Sequence, residues 1–324
     1  MSNIRLSSNI TKWQIFRLSI PIFFSNLAIP LVGLVDTALM GHMDNEKFLI
    51  AVSISTTFLT VIFWSFGFLR MGTVGLISQS LGKGDYRELV NIIFRNMFIA
   101  ILIGLIVIFS KPFLLNILNL IFNTSEQTLN LINEYISIRI FSAPAELIIY
   151  VIVGLFLGVQ RTFVSSSLII TLSILNIILS IFFVTKLNMG VSGVALGTLI
   201  AAYVTTILFA LYTYYFFIKK YKVIPRIHLK KIINLKKIFR LLNINFNIFI
   251  RTILLTFSFF WITYLSSRLG EEFIAINSIL MQFIIISSFF VFFEISSATI
   301  FFVSLAALST NGIKVDSGSP SIIM

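Results

Sequence analysis

Apolar stretches of about the 20 residues needed to cross a bilayer's hydrocarbon core recur along this 324-residue chain. Eight candidate spans run near 15–40, 48–70, 91–113, 133–157, 163–185, 191–217, 245–267 and 273–305, the last as one long helix or two pieces. Within each, apolar positions are continuous and do not alternate, which predicts helices and argues against strands. The first span carries Pro21, Pro30 and Asp36 and lacks a small-residue cleavage site, so it predicts a retained helix and not a signal peptide. The stretch from Asn9 to Leu18, with Lys12, Trp13 and Arg17, suits an interfacial lead-in. The fold class expected from this pattern is an all-α, polytopic membrane protein.

Composition sharpens the picture. The chain is 58% apolar with a mean hydropathy of +1.02, and only 11% of it is charged, where a soluble domain carries about 25%. One water-soluble core could not hide so much apolar surface, so the lipid bilayer is an expected partner. The net charge of +12 is concentrated. Lys219, Lys220, Lys222, Arg226, Lys230, Lys231, Lys236, Lys237 and Arg240 occupy one stretch without an acid. A basic loop between apolar spans reads as a cytoplasmic loop held by the positive-inside rule, and no base-reading element accompanies it, so nucleic acid is not an expected partner. Arg5, Lys12, Arg17, Lys83, Arg87, Arg95 and Arg161 fall on the same side as this loop, against Lys47, Lys111, Lys186 and Arg268 on the other. The expectation is a cytoplasmic N-terminus in a cell membrane. The absence of Cys excludes disulfides and thiolate metal sites.

The chain also repeats itself. Ile15-Phe16-Arg17-Leu18 returns as Ile238-Phe239-Arg240-Leu241, and Leu49-Ile50-Ala51-Val52 returns as Phe273-Ile274-Ala275-Ile276, at nearly one offset. Two matches at one offset predict a duplicated unit of six spans. The expected division is a six-helix unit over 1–218, a basic loop over 219–244, two helices of a second unit over 245–308, and a disordered tail over 309–324. The missing remainder of the second unit reads as truncation.

Three acids fall inside predicted spans: Asp36, Glu146 and Glu294. A charged side chain at mid-bilayer costs about 2.5–3.5 kcal/mol on insertion scales, so such an acid is protonated, paired, hydrated or functional. Asp36 follows Pro30 and Gly33 by one to two turns. Proline lacks an N–H and frees the carbonyl four residues back, that of Asn26. A loosened helix beside a carboxylate suits a proton or a hydrated cation; the competing reading places Asp36 in water at the helix end. Glu146 follows a second helix-breaking proline, Pro144, and reads either as a second coupling acid or as the partner of Arg139. Asn26, Gln160, Asn176, Asn277 and Gln282 are neutral hydrogen-bonders, more often helix clasps than ligand contacts. Arg70 and Arg251 read as snorkelling span ends. Gly190-x-x-Gly193-x-x-x-Gly197 reads as a close-packing stripe. His42 and His228 fall on opposite sides and offer no metal cluster. With no nucleophile triad and no P-loop, neither enzyme chemistry nor a cofactor is expected.

Several segments then converge. Pro30-Leu-Val-Gly-Leu-Val-Asp36-Thr-Ala-Leu-Met-Gly41-His42, Phe68-Leu-Arg70-Met-Gly-Thr, Leu81-Gly-Lys-Gly-Asp85, Ser142-Ala-Pro144-Ala and Leu157-Gly-Val-Gln160 occur in order. Leu175-Asn176-Ile, Asn188-Met-Gly190-Val-x-Gly193-x-Ala195 and Ile274-Ala-Ile-Asn277-x-Ile-Leu-Met281 follow. Over roughly residues 10–293 the chain resembles the multidrug and toxic compound extrusion (MATE) family, in its DNA-damage-inducible protein F (DinF) branch. The resemblance implies two six-helix lobes around a central cavity, here a complete N-lobe and about two helices of an incomplete C-lobe. It implies an antiporter that exports drugs or other toxic organic compounds in exchange for protons or sodium ions. It places a cation-coupling acid on Asp36 and the family's fifth-helix Asn on Asn176. The family's second acid falls on Ser180, so coupling rests on Asp36 alone or borrows Glu146. Asn26, Gln160, Ser180 and Asn277 are the candidate cavity or substrate contacts, and Pro30, Gly33 and Pro144 the candidate kinks. Two alternatives stand beside the antiporter: a non-transporting truncated remnant, and a lipid-linked precursor flippase of the same superfamily, which predicts a more cationic cavity.

Overall fold

The computed structural model describes residues 12–43, 45–122, 124–222, 235–270, 272–284 and 287; side chains are described from Ile20, with Ile22, 235–245, Asn247, Ile248 and Arg251 left out. Eleven α-helices occupy these residues. They are α1 (Lys12–Gly41), α2 (Lys47–Ser65), α3 (Phe68–Gly82), α4 (Tyr86–Phe109), α5 (Lys111–Ile121) and α6 (Glu126–Arg139). Then come α7 (Ala143–Gly158), α8 (Thr162–Ile181), α9 (Gly190–Phe216), α10 (Leu235–Leu269) and α11 (Glu272–Ile284). No strand occurs among the described residues.

Among the described residues six spans are long and apolar enough to cross a membrane. They are Phe23–Gly41, Lys47–Gly82, Tyr86–Phe109, Glu126–Gly158, Thr162–Lys186 and Gly190–Tyr221. These are the first six spans expected from the sequence, with one extension. The second continues from α2 into α3 and reaches Gly82. Arg70 is therefore not a snorkelling end but a half-buried residue in the first turn of α3. The polar and small run after it masks the continuation, because Gly72 and Thr73 are buried against neighbouring helices. The candidate at 245–267 lies within α10. The one at 273–305 begins as α11, and its remainder, with Glu294 and the tail, lies outside the described residues, as does most of the basic loop.

The bundle is built on a few close pairings: α1 with α8, α8 with α9, α3 and α4 with α7, and α2 with α6. Small residues permit them. A Cβ on Gly104 of α4 would lie 2.6 Å from Pro144 Cα, and one on Gly154 of α7 would lie 2.6 Å from the Arg70 carbonyl oxygen. Gly197 of α9 meets Ser180 of α8 at 2.8 Å on the same test, so the glycine stripe acts as the packing seam its spacing implied. The helices after residue 235 join the same core. α10 packs on α2 and α3, Phe260 sits edge-on to Phe122 with ring centroids 5.7 Å apart, and Ile274 of α11 is fully buried against the α2 cluster.

The breaks in the helices have local causes. The fourth span is interrupted by a 3-10 turn over Ile140–Ser142, after which Pro144 occupies the first turn of α7, where its missing N–H costs nothing. α1 runs as one helix through both Pro21 and Pro30.

Candidate functional site

Asp36 lies on the inner face of α1 and is only 7% exposed. Its Oδ1 has no hydrogen-bond partner in the structure. The helix opposite, α8, turns a hydroxyl toward it, backed by an amide one turn earlier. Ser180, fully buried, lies against the Asp36 carboxyl. Its Oγ donates to Asn176 Oδ1 at 3.0 Å, the i to i+4 spacing that sets both on one helix face. Asn176 Nδ2 in turn donates to Thr198 Oγ1 on α9 at 3.1 Å, and Thr198 donates to the Val194 carbonyl at 3.0 Å. The absence of a Cβ on Gly197 lets α9 come close enough for this contact. The result is a polar seam, Asp36–Ser180–Asn176–Thr198, running across three helices inside an otherwise apolar bundle.

A second cluster adjoins it where α6 gives way to α7. Arg139 Nη2 and Glu146 Oε1 are 2.5 Å apart, with side chains 13% and 16% exposed. Arg139 also donates to Ser142 Oγ, and its guanidinium sits 5.3 Å from the centre of the Phe63 ring of α2. Ser142 Oγ donates to the Arg139 carbonyl at 2.7 Å and faces Glu146 Oε1 at 3.4 Å. Buried Tyr135, one turn before Arg139, faces both clusters. Arg139 is the basic side chain whose charge reaches Asp36. Two carboxylates thus share a neighbourhood with one guanidinium.

The other sequence candidates lie elsewhere. Gln160 is not brought to Asp36. It is exposed in the tight turn between α7 and α8, with φ 59°, and the length of α8 from Thr162 to Ser180 separates the two by about 27 Å. It falls between the fourth and fifth spans expected from the sequence, and α7 ends at Gly158, where the chain reverses. Asn26 is half-buried in α1, ten residues or about 15 Å before Asp36. Asn277 is half-buried on α11. Gly33 meets Gln282 of α11, whose Oε1 lies 2.8 Å from where a Cβ would stand. Thr198 is the site residue that sequence reasoning missed. Its one signal is position, next to the glycine that closes the α8–α9 seam. Among the described residues no group of three or more metal-binding side chains occurs.

The MatE family model matches residues 21–182, half of the chain and most of the site just described. The chain is 34% identical over 296 residues to the DNA damage-inducible protein F of Escherichia coli strain K12, covering 87% of this chain and 60% of that protein. It is 24% identical over 195 residues to the multidrug export protein MepA of Staphylococcus haemolyticus, 60% of this chain and 43% of that one. Among solved structures it is similar to the MATE multidrug transporter DinF-BH, with a TM-score of 0.74 at 18% identity over 84% of this chain and 60% of that one. It is also similar to an inward-facing MATE transporter of the MOP superfamily, with a TM-score of 0.68 at 21% identity, covering 82% and 59%. The chain spans about 60% of the length of its Escherichia coli relative. Six apolar spans, the site between α1 and α8, and these likenesses together place the chain in the MATE family, as a multi-pass membrane protein related to multidrug exporters.

Proposed function

We propose that this chain provides the ion-coupling half of a proton- or sodium-driven antiporter, exporting organic compounds across the bacterial inner membrane. Residues 1–218 act as its N-lobe, 245–308 as part of the opposing lobe, and the basic 219–244 loop stays cytoplasmic with the N-terminus. The observation that carries this reading is Asp36: a carboxyl group buried in a membrane-spanning bundle, with one oxygen unpartnered and the other group against it a hydroxyl. A structural acid at that depth would be paired outright, because an uncompensated buried charge costs several kcal/mol.

The hydrogen bonding offers a way for protonation to be felt by the bundle. A serine hydroxyl has one hydrogen. With it directed at Asn176, Ser180 turns lone pairs toward Asp36, which suits the protonated acid as donor. An ionised Asp36 calls for that hydrogen instead, and Asn176 Oδ1 then loses its donor. Loading and unloading Asp36 therefore makes and breaks the bond that Asn176 Oδ1 accepts, on the same amide that joins α8 to α9 through Thr198. Alternating access needs a switch of this kind between two arrangements of packed helices.

The flippase alternative requires a cationic cavity. The described site holds two carboxylates against one guanidinium, an acidic balance that favours cationic cargo over a phosphorylated lipid. The test is pH-driven efflux of a fluorescent organic cation from everted vesicles carrying the full chain. The expected result is efflux that Asp36→Asn abolishes while leaving the protein's membrane insertion intact. Efflux that Asp36→Asn leaves unchanged removes Asp36 from the mechanism, and no efflux from the wild-type chain overturns the transport reading.

A further inference from the structure

Where α7 turns into α8, segments from three parts of the chain meet at one end of the bundle. The turn is tight: Gln160 takes φ 59°, and the Arg161 N–H donates to the Phe156 carbonyl at 2.7 Å. It leaves the Arg161 guanidinium 5.7 Å from the centre of the Phe216 ring of α9. The chain then widens into a π turn over Phe217–Tyr221, a rare geometry, and Lys222 ends it in the left-handed region. This turn sets Lys220 Nζ 5.3 Å from the same Phe216 centroid and 5.2 Å from that of Tyr221. Tyr221 stacks at 4.8 Å on Tyr86, which opens α4. Both cations therefore rest on aromatic faces, and a ring face positions a cation without cancelling its charge. Among the described residues no acid lies within 4 Å of either. The acids beside Tyr86 are engaged elsewhere: Asp85 accepts from the Glu88 N–H at 3.0 Å, and Glu88 pairs with Arg95 at 3.6 Å. Leading away from the cations, α9 exposes an apolar stripe at one-turn spacing, Tyr215, Leu211 and Ile207, with Tyr212 and Leu208 beside it.

We propose that Arg161 and Lys220 form a binding site for the phosphate of an anionic phospholipid, whose acyl chain lies along the exposed stripe of α9. Arg161 supplies a planar fork of donors and Lys220 a mobile point charge, the two ways a side chain holds a phosphate group. Phe216 and Tyr221 keep both cations at the same place on the rim of the bundle. Two unbalanced cations favour a headgroup with net negative charge over a zwitterionic one. A soluble phosphate ester carries the same anion, but only a lipid also covers Leu211 and Leu208, so the stripe selects the lipid. Binding here does not depend on whether the chain transports anything.

The test is native mass spectrometry of the full chain in a neutral detergent, with phosphatidylglycerol, phosphatidylcholine or soluble glycerol phosphate added and the bound adducts counted. Phosphatidylglycerol is expected to bind more tightly than phosphatidylcholine, and glycerol phosphate to be lost. Arg161→Gln/Lys220→Gln should weaken the phosphatidylglycerol adduct about 30-fold, a factor of about five for each cation near a headgroup. The charge-matched control Lys83→Gln/Arg87→Gln removes two exposed cations from the turn before Tyr86 and should keep the wild-type affinity. Arg161→Lys/Lys220→Arg, which preserves both charges, should keep most of it. Both cations are exposed, so the variants should fold, and circular dichroism checks helix content in each. Undiminished binding by the folded Arg161→Gln/Lys220→Gln protein overturns the proposal, as does an equal loss in the control. Equal affinity for the two lipids, or glycerol phosphate held as tightly as lipid, overturns an anionic lipid as the occupant. Efflux plays no part in this readout, so a chain that fails to transport can still show the site.

Discussion

The packing of α8 on α9 makes a sharp prediction at Gly197. An alanine there would gain about 1 kcal/mol of helix propensity over glycine. It would also place a Cβ 2.8 Å from the Ser180 backbone nitrogen and 2.9 Å from its Oγ. The nitrogen belongs to the main chain of a neighbouring helix and cannot swing aside as a side chain could. Overpacking of a close-fitted interior costs typically about 1–3 kcal/mol, and this contact is to backbone, so the upper part of that range applies. The net expectation for Gly197→Ala is a loss of about 1–2 kcal/mol. Gly75, inside α3, supplies the contrast, since a Cβ there meets nothing within 4 Å. Gly75→Ala keeps the propensity gain and should stabilise by about 0.5–1 kcal/mol. The two variants are chemically identical and opposite in sign. Reversible denaturation in mixed micelles, read by the fluorescence of the three tryptophans, measures both. A Gly197→Ala protein as stable as wild type would mean that α8 and α9 do not approach as described, and the Asn176–Thr198 contact would fall with it.

Other outcomes follow from the same geometry. Asn176→Ala removes the donor to Thr198 and the acceptor for Ser180 inside a dry seam; it should cost about 1–3 kcal/mol in the same denaturation assay, and a neutral result would show that water serves those groups. Gly33→Ala should push the Gln282 amide off α1. That amide is the far end of a flexible side chain, so the single change should be mild. A double-mutant cycle with Gln282→Ala should return a coupling of about 0.5–2 kcal/mol, and zero coupling would separate α11 from α1.

Much of this architecture was open to reading because a membrane forces it. Apolar runs of span length allow few structures besides helices when every backbone group must be satisfied within its own segment. The misjudged end of the second span has the same origin: Gly72, Thr73 and Gly75 look like an exit to water only when each polar or small residue is assumed to be wet. Asp36 stood out because a lone acid in hydrocarbon has few inexpensive explanations, and Arg139 with Glu146 because seven residues bring two side chains back to one helix face. Sequence could not show what faces Asp36. α1 packing on α8 sets Ser180 against it, and no local pattern encodes that encounter. Thr198 escaped for a related reason, since threonines are frequent in the sixth span and only the partner across the seam distinguishes this one. Gln160 erred the other way, drawn toward the site by its place in a motif that serves the turn. Chemistry carried by one residue in the wrong solvent was therefore legible, whereas chemistry assembled between helices required the fold, and the Asn176–Thr198 bond across the α8–α9 seam is of the second kind.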